Sequence, residues 1–206
     1  LNVNNGEIIA LASLPNYDPN KINYYSPLNT KEKRFNRAIQ GSYEMGSVMK
    51  IFTLAMALEE EKIALSDEFD VWKCINKSRK GCLSDYKKSK VQFLNAAECL
   101  IKSSNICMAQ IARITGLNTQ KRFLSETGIL DEQFLELYEM GKPSLPLRWD
   151  ELSMEQISFG QGISVVPLSF ASAAASIVNG GYLIEPTLYL NENKNKNNTK
   201  LISSEV

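Results

Sequence analysis

Over residues 48–58 only Lys50 and Thr53 are polar, and this stretch restricts the fold more than any other. A segment so apolar on every side reads as a helix buried at the centre of a domain. It is far shorter than the ~20 residues needed to cross a bilayer. A central helix of this kind requires neighbours on all faces, so the 206 residues must wrap around it. An ionisable lysine inside it is out of place for structure alone. That oddity directs attention to its surroundings.

The chain contains no histidine. This excludes Ser-His-Asp and Cys-His catalysis and most zinc and iron sites. A nucleophilic enzyme built from these residues needs another base, and lysine is the usual substitute. Lys plus Arg and Asp plus Glu both number 23, so charge gives no support to nucleic-acid or membrane binding. The cysteines are Cys74, Cys82, Cys99 and Cys107, with no C-x-x-C pair. Cys74 and Cys82 flank a polar loop and could close a disulfide in an oxidising compartment, although spacing does not show that the thiols meet. Cys99 and Cys107 fall in apolar helical stretches, where buried free thiols are expected.

Asn4-Asn5-Gly6 predicts a two-residue hairpin leading into a strand over residues 7–13. A polar, irregular stretch follows to about Arg34. Residues 67–90 read as a basic, solvated loop, and Glu59 to Glu61 as a solvated helix end. Residues 93–101 and 106–114 predict two short helices broken at Ser103-Ser104-Asn105, with Gly116 ending the second. Asn118 predicts the cap of a further helix that stops at Gly128. Residues 131–150 form a proline-containing connection. Pro167 near a helix start and Gly180-Gly181 past its end bracket a helix rich in Ala and Ser. Residues 191–200 are almost entirely Asn and Lys and predict an exposed connection. Ser203-Ser204-Glu205 looks like the opening of another helix. Together with a short incoming strand at residues 1–3, this suggests that both ends lie inside structural elements.

Ser47-Val48-Met49-Lys50 carries the chemistry. Residues three apart at a helix start share a face, which sets the lysine beneath the serine. Apolar surroundings disfavour the charged lysine and free it to take the serine proton. The helix N-terminus adds free N–H groups beside the nucleophile. The Ser-x-x-Lys spacing alone is uninformative, since it occurs twice. Its other occurrence, Ser84 to Lys87, lies in the basic loop without a helix. Ser103-Ser104-Asn105 can aim a hydroxyl and a carboxamide into one cleft, yet such residues also simply break helices. Gly160-Gln161-Gly162 lacks the Walker lysine and the Rossmann spacing and reads as a tight backbone turn.

On these residues the chain resembles the class B penicillin-binding transpeptidases. The resemblance runs through Asn5-Gly6-Glu7-Ile8-Ile9-Ala10, Ser13-Leu14-Pro15-Asn16-Tyr17-Asp18-Pro19-Asn20 and Asn36-Arg37-Ala38. It continues through Tyr43-Glu44-Met45-Gly46-Ser47, Ser103-Ser104-Asn105, Gly160-Gln161-Gly162-Ile163-Ser164-Val165-Val166-Pro167 and Asn179-Gly180-Gly181. Tyr43-Glu44-Met45-Gly46 and Leu147-Arg148-Trp149-Asp150-Glu151-Leu152 look most like the division-specific branch. The resemblance implies an α/β fold of α+β type, the serine β-lactamase/transpeptidase-like fold. It consists of an antiparallel sheet flanked by helices, plus a helical lobe over about 54–165. Residues 1–206 would form a partial transpeptidase domain.

The roles implied are Ser47 as nucleophile on a peptidoglycan stem peptide, Lys50 as base, Ser103 as proton relay and Asn105 as substrate-amide ligand. β-Lactams would acylate Ser47. No cofactor, metal or nucleic acid is implied. A periplasmic location, an upstream membrane tether, a membrane glycan polymerase and division proteins are. The family's Lys-Thr-Gly or Lys-Ser-Gly strand has no counterpart in these residues. The isolated chain is therefore expected to be inactive, because one missing oxyanion donor alone lowers rates ~10²–10³-fold. Two rivals stay open: a serine β-lactamase or β-lactam sensor, and a catalytically dead remnant acting as a binding module.

Overall fold

The computed structural model describes residues 1–18, 20, 34–75, 82–131, 136–137, 139–190 and 199–206. The expected polar stretch up to Arg34 and the Asn/Lys-rich connection lie largely outside the described residues. So do parts of the basic loop and of the 131–150 connection.

The apolar stretch forms a 3₁₀ turn, Gly46–Met49, running directly into helix α1, Lys50–Glu59. Helix α1 is buried on both sides, as its composition requires. Phe52 and Met56 join a core with Phe123, Leu124, Ile157 and Ile163. Leu54 and Ala57 join a second core with Phe69, Cys99, Cys107 and Ile111. Phe52 also meets Phe170 edge to face, with ring centroids 5.5 Å apart. Each large side chain so buried contributes roughly 1.5–3 kcal/mol. Helix α1 is therefore the beam on which the remaining elements rest.

Strand β1, Glu68–Asp70, pairs antiparallel with β2, Phe93–Asn95, placing Phe69 opposite Leu94. This corrects two expectations. The basic loop contains a strand, and residues 93–95 are extended rather than helical. Asn95 is the reason for the second correction: its side chain accepts from the Glu98 N–H, while Glu98 reaches back to the Asn95 N–H. That capping box starts α2, Ala96–Ile101, three residues later than the apolar pattern suggests. Helix α3, Asn105–Thr115, follows, and Gly116 (φ +89°) ends it as expected. Gly116 also caps α4, Leu117–Glu126, so Asn118 lies inside that helix and not at its cap. Helix α5, Glu151–Ser158, was not expected; Asp150 caps it by accepting from the Ser153 N–H. Helix α6, Pro167–Val178, has Pro at its start and Gly180-Gly181 beyond its end, as expected.

The main sheet is present only as isolated bridges among the described residues. Glu7 pairs with Thr187, and Tyr182 with Lys200. The expected strand over residues 7–13 is thus reduced to its first residues. Ile8 N–H donates to Thr187, but Ile9 is 75% exposed and no ladder continues beyond it. The hairpin also differs. Asn2 exchanges bonds with Gly6 and Glu7, which closes a longer turn, and of Asn5 and Gly6 only Gly6 has positive φ. Residues 203–206 form no helix; the Ser203 N–H donates to Glu59 of α1 instead.

All four cysteines are bridged. Cys74–Cys82 forms the disulfide that spacing left open, and Cys99–Cys107 overturns the expectation of free thiols. The break at 103–105 turns α3 back against α2, and this brings the two cysteines within 5.8 Å between Cα atoms. Their sequence separation is 8, a short closed loop. Replacing both Cys99 and Cys107 by Ala should therefore lower the unfolding free energy of the complete protein by ~2–3 kcal/mol. Urea denaturation under non-reducing conditions measures this, and an unchanged midpoint would contradict the bridge.

Candidate active site

Ser47 sits in the exposed 3₁₀ turn ahead of α1, and the chain that delivers it is fixed from one side by a single segment. Tyr43 bridges Val165, and the Glu44 carboxylate accepts the Gly162 N–H at 2.8 Å. Gly46 N–H donates to the Gly160 carbonyl at 3.1 Å. Gly160 has φ +85°, and a Cβ there would stand 1.9 Å from the Gly46 carbonyl oxygen. Only glycine permits that approach. The tight turn expected at Gly160-Gln161-Gly162 thus forms the seat of the nucleophile's loop.

Lys50 is 1% exposed although it carries an amine. Its Nζ donates to the Ser103 carbonyl at 2.5 Å and lies 2.9 Å from the Ser103 hydroxyl. Burial lowers its pKa from 10.5 to about 8, and the negative charge of Asp85 opposes part of that shift. At neutral pH a measurable fraction of the amine is therefore unprotonated. Thr53, the other polar residue of the apolar helix, donates to the Ser158 carbonyl at 2.9 Å. Both polar groups of the apolar stretch over residues 48–58 are thus bonded to other segments, the α2–α3 turn and the residues before Gly160.

Ser103 occupies the left-handed region, φ +55°. It closes α2 in a Schellman arrangement, with Ser103 N–H to Leu100 and Ser104 N–H to Cys99. Glycine is the usual residue at that place; a serine there costs ~1–2 kcal/mol. Ser104 is buried and caps α3, accepting from the Cys107 N–H at 3.1 Å. Asn105 is half-buried, and its Nδ2 makes a long 3.4 Å bond to the Ser84 carbonyl. The structure therefore joins Lys50 to Ser103 by direct bonds. It sets Ser47 one turn ahead of Lys50 and Asn105 two residues beyond Ser103.

Sequence reasoning missed Asp85. Its carboxylate accepts from the Ser104 hydroxyl at 2.8 Å and from the N–H groups of Asn105 at 2.6 Å and Ile106 at 3.0 Å. The single acidic residue among the lysines of residues 73–90 was the available signal. Among the described residues no cluster of side chains suits a metal ion.

Residues 1–205 match the penicillin binding protein transpeptidase domain, and the chain belongs to that family. A probable peptidoglycan D,D-transpeptidase FtsI of Caulobacter vibrioides is 34% identical over 180 residues, which cover 87% of this chain and 30% of the relative. Stage V sporulation protein D of Bacillus subtilis is 30% identical over 191 residues, covering 90% of this chain and 29% of the relative. The chain thus spans about a third of the length of these relatives or slightly less. Penicillin-binding protein A of M. tuberculosis superposes with a TM-score of 0.83 at 23% identity, covering 98% of this chain and 52% of that one. The transpeptidase domain of Burkholderia pseudomallei penicillin-binding protein 3 gives 0.80 at 20% identity, covering 98% and 56%. The fold is the α/β transpeptidase type that the resemblance implied.

Gly160→Ala tests the seat of the nucleophile's loop. An added methyl must displace the Gly46 backbone and also occupy a positive φ. The expected outcome is a loss of at least ~1–2 kcal/mol of stability in chemical denaturation. A variant as stable as the parent would show that the close approach does not constrain the fold.

Proposed function

We propose that the complete protein is a peptidoglycan D,D-transpeptidase that cross-links stem peptides through an acyl-enzyme on Ser47. The observation that carries this reading is the buried Lys50 amine, bonded to Ser103 and placed one helical turn after an exposed serine. Lys50 in its neutral form takes the Ser47 proton as the hydroxyl oxygen attacks the D-Ala-D-Ala carbonyl. The oxygen–carbonyl bond forms and the peptide bond to the terminal D-Ala breaks. The proton passes by way of Lys50 and Ser103 to the departing amine. Asn105 orients the substrate amide. A second stem peptide's amine then displaces Ser47 and completes the cross-link.

β-Lactams would enter the same path and remain on Ser47. One solved relative, M. tuberculosis penicillin-binding protein A, has been seen as an imipenem acyl-enzyme. The relatives named FtsI support a role in septal wall synthesis; division proteins and a membrane glycan polymerase would be its partners. The two disulfides support an oxidising compartment; the proposed setting is a periplasmic domain that an upstream segment would tether to the inner membrane. No helix among the described residues is long and apolar enough to cross a membrane itself. These 206 residues contain no Lys-[Ser/Thr]-Gly, so the reading is of a complete protein that supplies one, and the isolated chain would be inactive.

Labelling of the full-length protein with a fluorescent penicillin tests this. Ser47→Ala should abolish the covalent adduct, and Lys50→Met should slow acylation by ~10²–10⁴-fold. Below pH 8 the ammonium has no lone pair to accept a proton, so the acylation rate of the parent should rise with pH and level off above about 8. Rapid turnover of a chromogenic cephalosporin, with no lasting adduct, would favour a β-lactamase instead.

A further inference from the structure

We propose that Asp85 is a positioning residue for the acyl-transfer reaction, holding the Ser103–Asn105 turn in register with Lys50 from outside the sequence motifs. The inference rests on the transpeptidase reading above and deepens it.

The first turn of α3 presents N–H groups with no partner inside the helix. Asp85 takes the first two, on Asn105 and Ile106, with one carboxylate oxygen. Its other oxygen accepts the Ser104 hydroxyl proton. Ser104 passes the restraint on, because its oxygen also accepts from the Cys107 N–H. Every residue from 104 to 107 is thereby tied to one carboxylate, directly or through one hydroxyl. Ser103 immediately precedes this clamp, in a backbone conformation that serine adopts at a cost. Its carbonyl and hydroxyl meet the Lys50 amine only while that conformation holds.

Asp85 is itself fixed. The Cys74–Cys82 disulfide closes the segment before it, Leu83 N–H donates to Ile75 at 2.8 Å, and Leu83 packs with Ile75, Ile106 and Ala109. The disulfide and the Leu83 contacts therefore serve the site by holding the segment that delivers a carboxylate to the start of α3.

The charge of Asp85 adds a second effect. Around Lys50, the α2–α3 turn brings the Ser103 carbonyl and hydroxyl. Among the described residues, Asp85 is the charged group whose field reaches the amine. Its charge favours the ammonium and opposes the effect of burial.

The test is the pH dependence of penicillin acylation in the full-length protein. Asp85→Asn keeps the shape: its carbonyl oxygen can still accept the two N–H groups, and its NH₂ can donate to Ser104. The plateau rate should fall roughly tenfold as charge-assisted bonds become neutral. The midpoint should move to lower pH, because the field that favoured the ammonium is gone. A purely structural role would lower the plateau without moving the midpoint. Asp85→Glu, which keeps the charge but lengthens the arm, should lower the plateau and leave the midpoint in place. Should Asp85→Asn fail to fold, Asp85→Glu decides, and a parental plateau in it overturns the proposal. A folded Asp85→Asn protein with the parental midpoint also overturns it. Ser47→Ala separates the two levels. Labelling that survives this change removes the reaction and the proposal together, whereas Ser47-dependent labelling with an unmoved Asp85→Asn profile removes the proposal alone.

Discussion

The bond between the Lys50 amine and Ser103 is the contact on which the rest of the structure depends. An apolar helix could have carried leucine or methionine at position 50 and filled the same space. Instead the fold encloses an amine whose pKa drops from 10.5 to about 8. That shift corresponds to roughly 3 kcal/mol of lost stability. The sign follows from the depressed folded-state value. At pH above 10.5 the amine is neutral in both states and nothing is lost. The penalty grows as pH falls toward 8 and stays constant below it. Throughout the physiological range the protein therefore carries this burden, which is what remains after the charge of Asp85 has offset part of the effect of burial.

The acceptor is also held at a cost. Ser103 closes helix α2 in the position where glycine would be free of strain. Glycine would satisfy the backbone but would remove the hydroxyl 2.9 Å from Lys50. Two adverse choices, a buried amine and a left-handed serine, therefore meet in one hydrogen-bonded pair. Strain of this kind persists only where the surroundings over-determine it. Here they do so on three sides: the Cys99–Cys107 bridge behind the turn, the Ser104 cap within it, and Asp85 across its mouth.

Lys50 stood out in the sequence because a lysine in an otherwise apolar helix conflicts with a plain structural role. The Ser-Ser-Asn break and the Gly160-Gln161-Gly162 turn read as structural by themselves and drew attention only through the family resemblance. What was not legible depends on contacts between distant segments. Cys99 and Cys107 read as buried hydrophobic residues, and only the reversal of the chain at Ser103 brings them together. The helical reading of residues 93–95 failed because β1 lies 25 residues earlier and supplies the ladder partners. Asp85 gave no periodic or motif signal, since its partners are backbone groups of another element. Helix α5 was hidden by its mixed composition, Glu-Leu-Ser-Met-Glu-Gln-Ile-Ser, which has no clear apolar face.

That overlooked helix has the largest mechanical consequence. Ser158 at its end receives the Thr53 hydroxyl of α1, and the following Gly160 lies against the backbone that delivers Ser47. One turn earlier the buried Glu155 pairs with Arg113 of α3, the helix that begins at Asn105 of the Ser-Ser-Asn turn. Helix α5 and the turn after it thus touch both the nucleophile's loop and the helix that begins at Asn105. An ion pair buried on one side only is weak evidence for stability but constrains geometry, since the buried Glu155 would be costly without its partner. The distance between the two halves of the site is therefore set by α5 as well as by Lys50. The reacting residues inherit their spacing from a helix that carries none of them.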